Sequence, residues 1–85
     1  MVTSEVVVKN MDGLHSKRAA ILIQKASNYK SSIWIEKDNK RANAKSLLGL
    51  LSLSIGYGDK VTVTAEGDDE YQAMEEIKNY LDSQA

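Results

Sequence analysis

Apolar residues along this chain alternate between a period of two and a helical period, and each change of period marks an element. From Thr3 to Lys9 the residues are largely β-branched, with Val6 and Val8 on one side, which predicts a strand. Between Ser16 and Asn28, Ala19, Leu22, Ile23 and Ala26 recur at i, i+3, i+4 and i+7, the core stripe of an amphipathic helix. Ser32-Ile33-Trp34-Ile35-Glu36 returns to period two, and Asp38-Asn39 predicts a tight turn into a short paired strand from Lys40 to Asn43. A short apolar helix is expected over Leu47 to Leu53, with Ser46 as its N-cap. Gly56 and Gly58 punctuate a loop before Val61, Val63 and Ala65 alternate with Thr62 and Thr64. A last helix follows Gly67, with Asp69 as N-cap, Gln72 three residues on in a capping-box pattern, and Met74, Ile77 and Leu81 inward.

The element order is therefore βαββαβα. Strands apolar on one side need helices over that side, so the fold class is α/β (α+β). It is a two-layer open-faced sandwich with a four-stranded antiparallel sheet and three helices on one face. The length of 85 residues suits one domain over residues 1–85. Trp34 and Ile21 are candidates for exposure.

Composition narrows the function. The chain has no cysteine and one histidine, which argues against disulfides, thiolate chemistry and a zinc site; no metal or cofactor is expected. No membrane-length apolar run or signal-peptide pattern is present, so a soluble cytoplasmic protein is the default expectation, with no membrane partner. The net charge of −1 conceals an uneven layout: residues 1–45 hold nine Lys/Arg and four Asp/Glu, and residues 46–85 hold two and eight. This could steer an acidic partner to the first half, or be solvated charge that segregates only in sequence. The scattered basic residues disfavour nucleic acid.

Two stretches carry candidate chemistry. In Gly13-Leu14-His15-Ser16-Lys17-Arg18-Ala19-Ala20, the one histidine falls at or just before a helix N-cap. The first amides of a helix lack intrahelical partners and sit at the positive end of its dipole, a setting that favours an anion. An imidazole there is a nucleophile that can accept a phosphoryl group, with Ser16 supplying a helix-terminal amide and Lys17 and Arg18 offsetting charge. From this feature alone, a loop histidine that merely caps the helix weakly is the better explanation of the residue. The second stretch, Ala44 to Ser54, puts Leu47, Leu48, Leu50 and Leu51 after Ser46 and Lys45. Four leucines in five positions either leave an exposed docking patch or make a tightly buried short helix.

Together these stretches resemble the HPr family, the histidine-containing phosphocarriers of the bacterial sugar phosphotransferase system. The resemblance covers essentially the whole chain: "GLH" at 13–15, "AKS" and its leucine-rich continuation at 44–53, "VTVTAEG" at 61–67 and "DDE" entering the last helix. It implies that His15 receives phosphate from enzyme I and passes it to EIIA proteins. It implies that Ser46 is the regulatory serine of an HPr kinase/phosphorylase, whose product partners a catabolite-control repressor. Leu47, Leu48 and Leu51, with Ala20 and Gln24, match the family's docking patch, and a monomer that is a relay rather than an enzyme is implied. The site departs from the family's Gly-Leu-His-Ala-Arg-Pro at Ser16, Lys17 and Arg18. The expectation is that Arg18 takes over part of the missing arginine's role. The family's catabolite-repression paralogue lacks the active histidine, so His15 favours a carrier, while its altered neighbours favour a regulator controlled at Ser46.

Overall fold

The structure is a computed structural model that describes residues 1–84. Its elements are β1 (Val2–Val7), α1 (Ser16–Ala26), β2 (Ser32–Lys37), β3 (Lys40–Asn43), α2 (Leu47–Ser52), β4 (Lys60–Glu66) and α3 (Glu70–Leu81), the expected order. The boundaries match those read from the pattern to within a few residues, and the hairpin turns where Asp38 and Asn39 both take positive φ.

All pairings are antiparallel and the strand order is β1-β4-β2-β3, which puts the last strand of the chain, β4, in the middle of the sheet. Register aligns the inward residues in rows. Val2, Ala65 and Ile33 lie side by side, as do Ser4, Val63, Ile35 and Ala42. Because side chains alternate across a strand, the neighbouring rows face out: Thr3, Thr64, Trp34 and Asn43, then Glu5, Thr62, Glu36 and Arg41. One face is thus aliphatic and the other polar, so the helices can cover only one side. Trp34 stands half-buried on the open face with the Arg41 guanidinium 4.3 Å above its ring, and Ile21 is also half-buried.

The core between sheet and helices contains Ile33, Ile35, Val61 and Val63 from the strands. Ala19, Leu22 and Ala26 enter from α1, Leu50 from α2, and Ala73, Ile77 and Leu81 from α3. Ile23 and Met74, expected inward, are only partly buried against it.

Asp69 departs from the expected capping box. It holds the N-cap position of α3 but makes no side-chain cap bond. Its carboxylate instead accepts the backbone N–H groups of Lys30 and Ser31, at 2.9 and 3.0 Å, and the Ser31 hydroxyl. Glu70, not Gln72, reaches back along the turn, accepting the Gly67 N–H at 3.2 Å. The reason is tertiary: Ser31 is buried, and its donors need an acceptor, which the α3 terminus brings near. These hydrogen bonds, led by that from Ser31, hold the Asp69 carboxyl below the usual range.

Candidate phosphorylation site and docking surface

The loop before α1 is built to turn one side chain in and the next out. The Asn10 side chain accepts the Asp12 N–H at 2.9 Å, and its carbonyl accepts the Gly13 N–H at 3.0 Å. Gly13 then takes φ +67°, and a Cβ there would lie 2.8 Å from the Ile55 carbonyl oxygen. This close approach lets the Leu14 N–H donate to that same oxygen at 3.0 Å, burying Leu14. His15 therefore emerges exposed.

His15 is the N-cap of α1, with extended backbone and no side-chain capping bond, so its ring is not spent on the helix it opens. Its carbonyl accepts the Ala19 N–H at 2.7 Å, while the amides of Ser16 and Lys17 have no intrahelical partner. The first turn holds no acidic residue. A phosphoryl group on the exposed ring would thus stand beside helix-terminal amides with no nearby carboxylate in that turn to oppose it.

The two cations part company. Lys17 is exposed, on the helix face it shares with Ala20 and Gln24 at spacings of three and four, both also exposed. Arg18 is half-buried against α3: its guanidinium lies 4.4 Å over the Tyr80 ring and donates to the Tyr80 carbonyl at 3.5 Å. The Tyr80 hydroxyl in turn donates to the Arg18 carbonyl at 3.3 Å. Neutralising charge on His15 would require Arg18 to share or leave this contact, a tertiary arrangement with no trace in local spacing.

Ser46 caps α2 as expected, its hydroxyl accepting the Gly49 N–H at 3.2 Å. Lys45 is not an open cation beside it: its ammonium donates to the carbonyls of Tyr29, at 2.9 Å, and Ser31, at 3.2 Å. The leucine run divides as its crowding requires. Leu50 is fully buried, Leu51 half-buried and Leu47 partly exposed, while Leu48 is 82% exposed. Since α2 packs on α1, the exposed leucines and the Lys17–Ala20–Gln24 face belong to neighbouring helices.

Two further apolar residues were not legible beforehand. Met11, 84% exposed, and Tyr57, 65% exposed, sit on the loops joined by the Leu14–Ile55 hydrogen bond. Neither belongs to a periodic pattern; the glycines around Tyr57 were the only local signal, and they indicate a loop rather than a contact surface. Among the described residues, no three His, Cys, Asp or Glu side chains group closely enough to hold a metal ion. No described helix is long and apolar enough to cross a membrane.

Known proteins resemble this chain over nearly its whole length. The family model described as "PTS HPr component phosphorylation site" matches residues 2–83. The HPr-like protein Crh of Halalkalibacterium halodurans is 44% identical over 84 residues, covering 99% of this chain and all of its own. The phosphocarrier protein HPr of Bacillus anthracis superposes with a TM-score of 0.92 at 41% identity, over 94% of this chain and 95% of its own. Crh of Bacillus subtilis, described as a dimer with a swapping domain, superposes at 0.80 with 39% identity, over 100% and 98% of the two chains. With a matching family model, full-length relatives and a shared open-faced sandwich, this chain belongs to the HPr family.

Proposed function

We propose that this protein is a phosphocarrier that takes a phosphoryl group from enzyme I onto His15 and delivers it to EIIA proteins of the sugar phosphotransferase system. A ring nitrogen of His15 forms a P–N bond as the bond between phosphorus and the enzyme I donor breaks. The same P–N bond breaks when the EIIA acceptor attacks. The protein catalyses neither half alone; it supplies the nucleophile, the amides of Ser16 and Lys17 and the charge of Lys17. The observation that carries this reading is an exposed, uncommitted imidazole opening the 11-residue helix α1. In the same reading residues 1–85 act as one cytoplasmic domain. Ala20, Gln24, Leu47, Leu48 and Leu51 receive the partners.

A second reading has its own support. Relatives at 44% and 41% identity carry the name HPr-like protein Crh, and Ser46 sits as an N-cap beside the exposed leucines. In this reading HPr kinase/phosphorylase modifies Ser46, and the product partners a catabolite-control repressor while His15 exchanges phosphate weakly. Mass spectrometry after incubation with enzyme I plus phosphoenolpyruvate, and separately with the serine kinase plus ATP, separates the two. Acid-labile label at His15 supports the carrier. Acid-stable label at Ser46 alone supports the regulator. The monomer inferred from family resemblance has a dimeric relative against it, and sedimentation over a range of concentrations decides the state.

A further inference from the structure

In α1 the N-cap is His15, so Ser16, Lys17 and Arg18 occupy the first three helical positions. A side chain at the third position is the one that reaches back to the N-cap residue in a capping box. Arg18 therefore stands where a guanidinium can fold onto the His15 ring, yet it lies on Tyr80, from the last turn of α3. The contact has three parts: the guanidinium over the ring, its donation to the Tyr80 carbonyl, and the return bond from the Tyr80 hydroxyl to the Arg18 carbonyl. That carbonyl is among the last of α3, where a helix carries partial negative charge, so the berth suits a cation on both counts. Lys25, one heptad further along α1, lies 5.4 Å from the same ring and also pairs with Glu76 at 3.4 Å. The ring thus keeps a cation when Arg18 departs.

We infer that Tyr80 is a positioning residue for phosphoryl transfer at His15: it parks the Arg18 guanidinium against α3, and an incoming phosphoryl group must draw that guanidinium off. The inference rests on the phosphocarrier reading for its purpose, but its chemistry can be tested without any protein partner. A bidentate, charge-assisted pair with a phosphoryl dianion is stronger than this half-buried cation–aromatic contact, so the transfer of Arg18 is favourable once phosphate arrives. Before that, the berth holds back the cation that would attract the donor.

Phosphoramidate serves as a small donor: a ring nitrogen of His15 bonds to phosphorus as the P–N bond of the reagent breaks and ammonia leaves. The expectation is that Tyr80→Leu raises the second-order rate by at least about two- to fivefold, the factor at the lower end of the range for a cation–aromatic contact. Tyr80→Phe, which keeps the ring, stays close to wild type. In an Arg18→Ala background Tyr80→Leu changes nothing. A merely structural role for Tyr80 lowers the melting temperature without producing this dependence on Arg18. Tyr80→Met carries the same expectation should Tyr80→Leu lose its native circular dichroism. An unchanged or slower rate in a folded Tyr80 variant overturns the inference, as does a gain that survives Arg18→Ala or a ring that phosphoramidate never modifies. Reaction with phosphoramidate but none with enzyme I and phosphoenolpyruvate defeats the phosphocarrier reading instead.

Discussion

Gly13 and Ile55 meet backbone to backbone: a Cβ on Gly13 would stand 2.8 Å from the Ile55 carbonyl oxygen, the atom that also accepts the Leu14 N–H. The loop presenting His15 is thus moulded on the loop after α2. In Gly13→Ala the left-handed backbone alone costs about 1–2 kcal/mol. The methyl group would also face the Gly56 Cα at 2.9 Å, and neither neighbour is a flexible side chain. Urea denaturation should show a loss of at least about 2 kcal/mol, most of it from this strain and clash. Any His15 phosphorylation should slow as well, because the imidazole is aimed by the same turn. Wild-type stability in Gly13→Ala would mean the two loops are not locked together.

Asp69 supplies the acceptor for the buried Ser31. Asp69→Ala strands the Ser31 hydroxyl and two backbone N–H groups, at a cost of about 1–3 kcal/mol for an unsatisfied buried group. Because the carboxyl is held below its ordinary value in the folded state, its contribution is fully present above the unfolded value. It is lost as pH falls from about 4 through the folded one. Asp59 behaves alike: the Lys37 ammonium, 2.8 Å away, and the Gly56 N–H lower its titration. Denaturation across the acid range should therefore be shallower in Asp69→Asn than in wild type. Equal slopes would remove Asp69 from the acid response.

Ser46 contributes to stability through its cap. Ser46→Ala should cost about 0.5–2 kcal/mol, typical of a lost N-cap oxygen. Ser46→Asp keeps an acceptor where the α2 amides face out, so its melting temperature should stay close to wild type. What changes is the charge beside Leu47 and Leu48. Calorimetry should show weaker enzyme I docking by the Asp variant with its circular dichroism unaltered. Loss of that spectrum would contradict the capping argument.

Leu48 and Leu50, two positions apart, should respond in opposite ways. Leu50 is fully buried, and Leu50→Ala should cost about 2–5 kcal/mol. Leu48 is 82% exposed, and Leu48→Ser should change stability by no more than about 0.5 kcal/mol. If the exposed leucines dock partners, Leu48→Ser should nevertheless reduce phosphoryl exchange with enzyme I. A folded Leu48→Ser protein that exchanges normally would leave the patch without a role.

The elements of this protein follow from local spacing. Strand and helix periods, the turn residues Asp38 and Asn39, and the Ser46 cap all act over a few neighbouring residues, and the structure reproduces them. The one-sided alternation of Val61, Val63 and Ala65 already required a sheet with one covered face. The candidate site was half legible: His15 at a helix entry and the overcrowded leucines were local facts. Tertiary structure alone decided the strand order, with β4 between β1 and β2. It also turned Asp69 onto Ser31, 38 positions away, and Arg18 onto Tyr80, 62 positions away. A side chain that can donate or accept in several directions goes to whichever partner the packed helices bring nearest. That choice depends on three-dimensional proximity, which spacing along the chain does not encode.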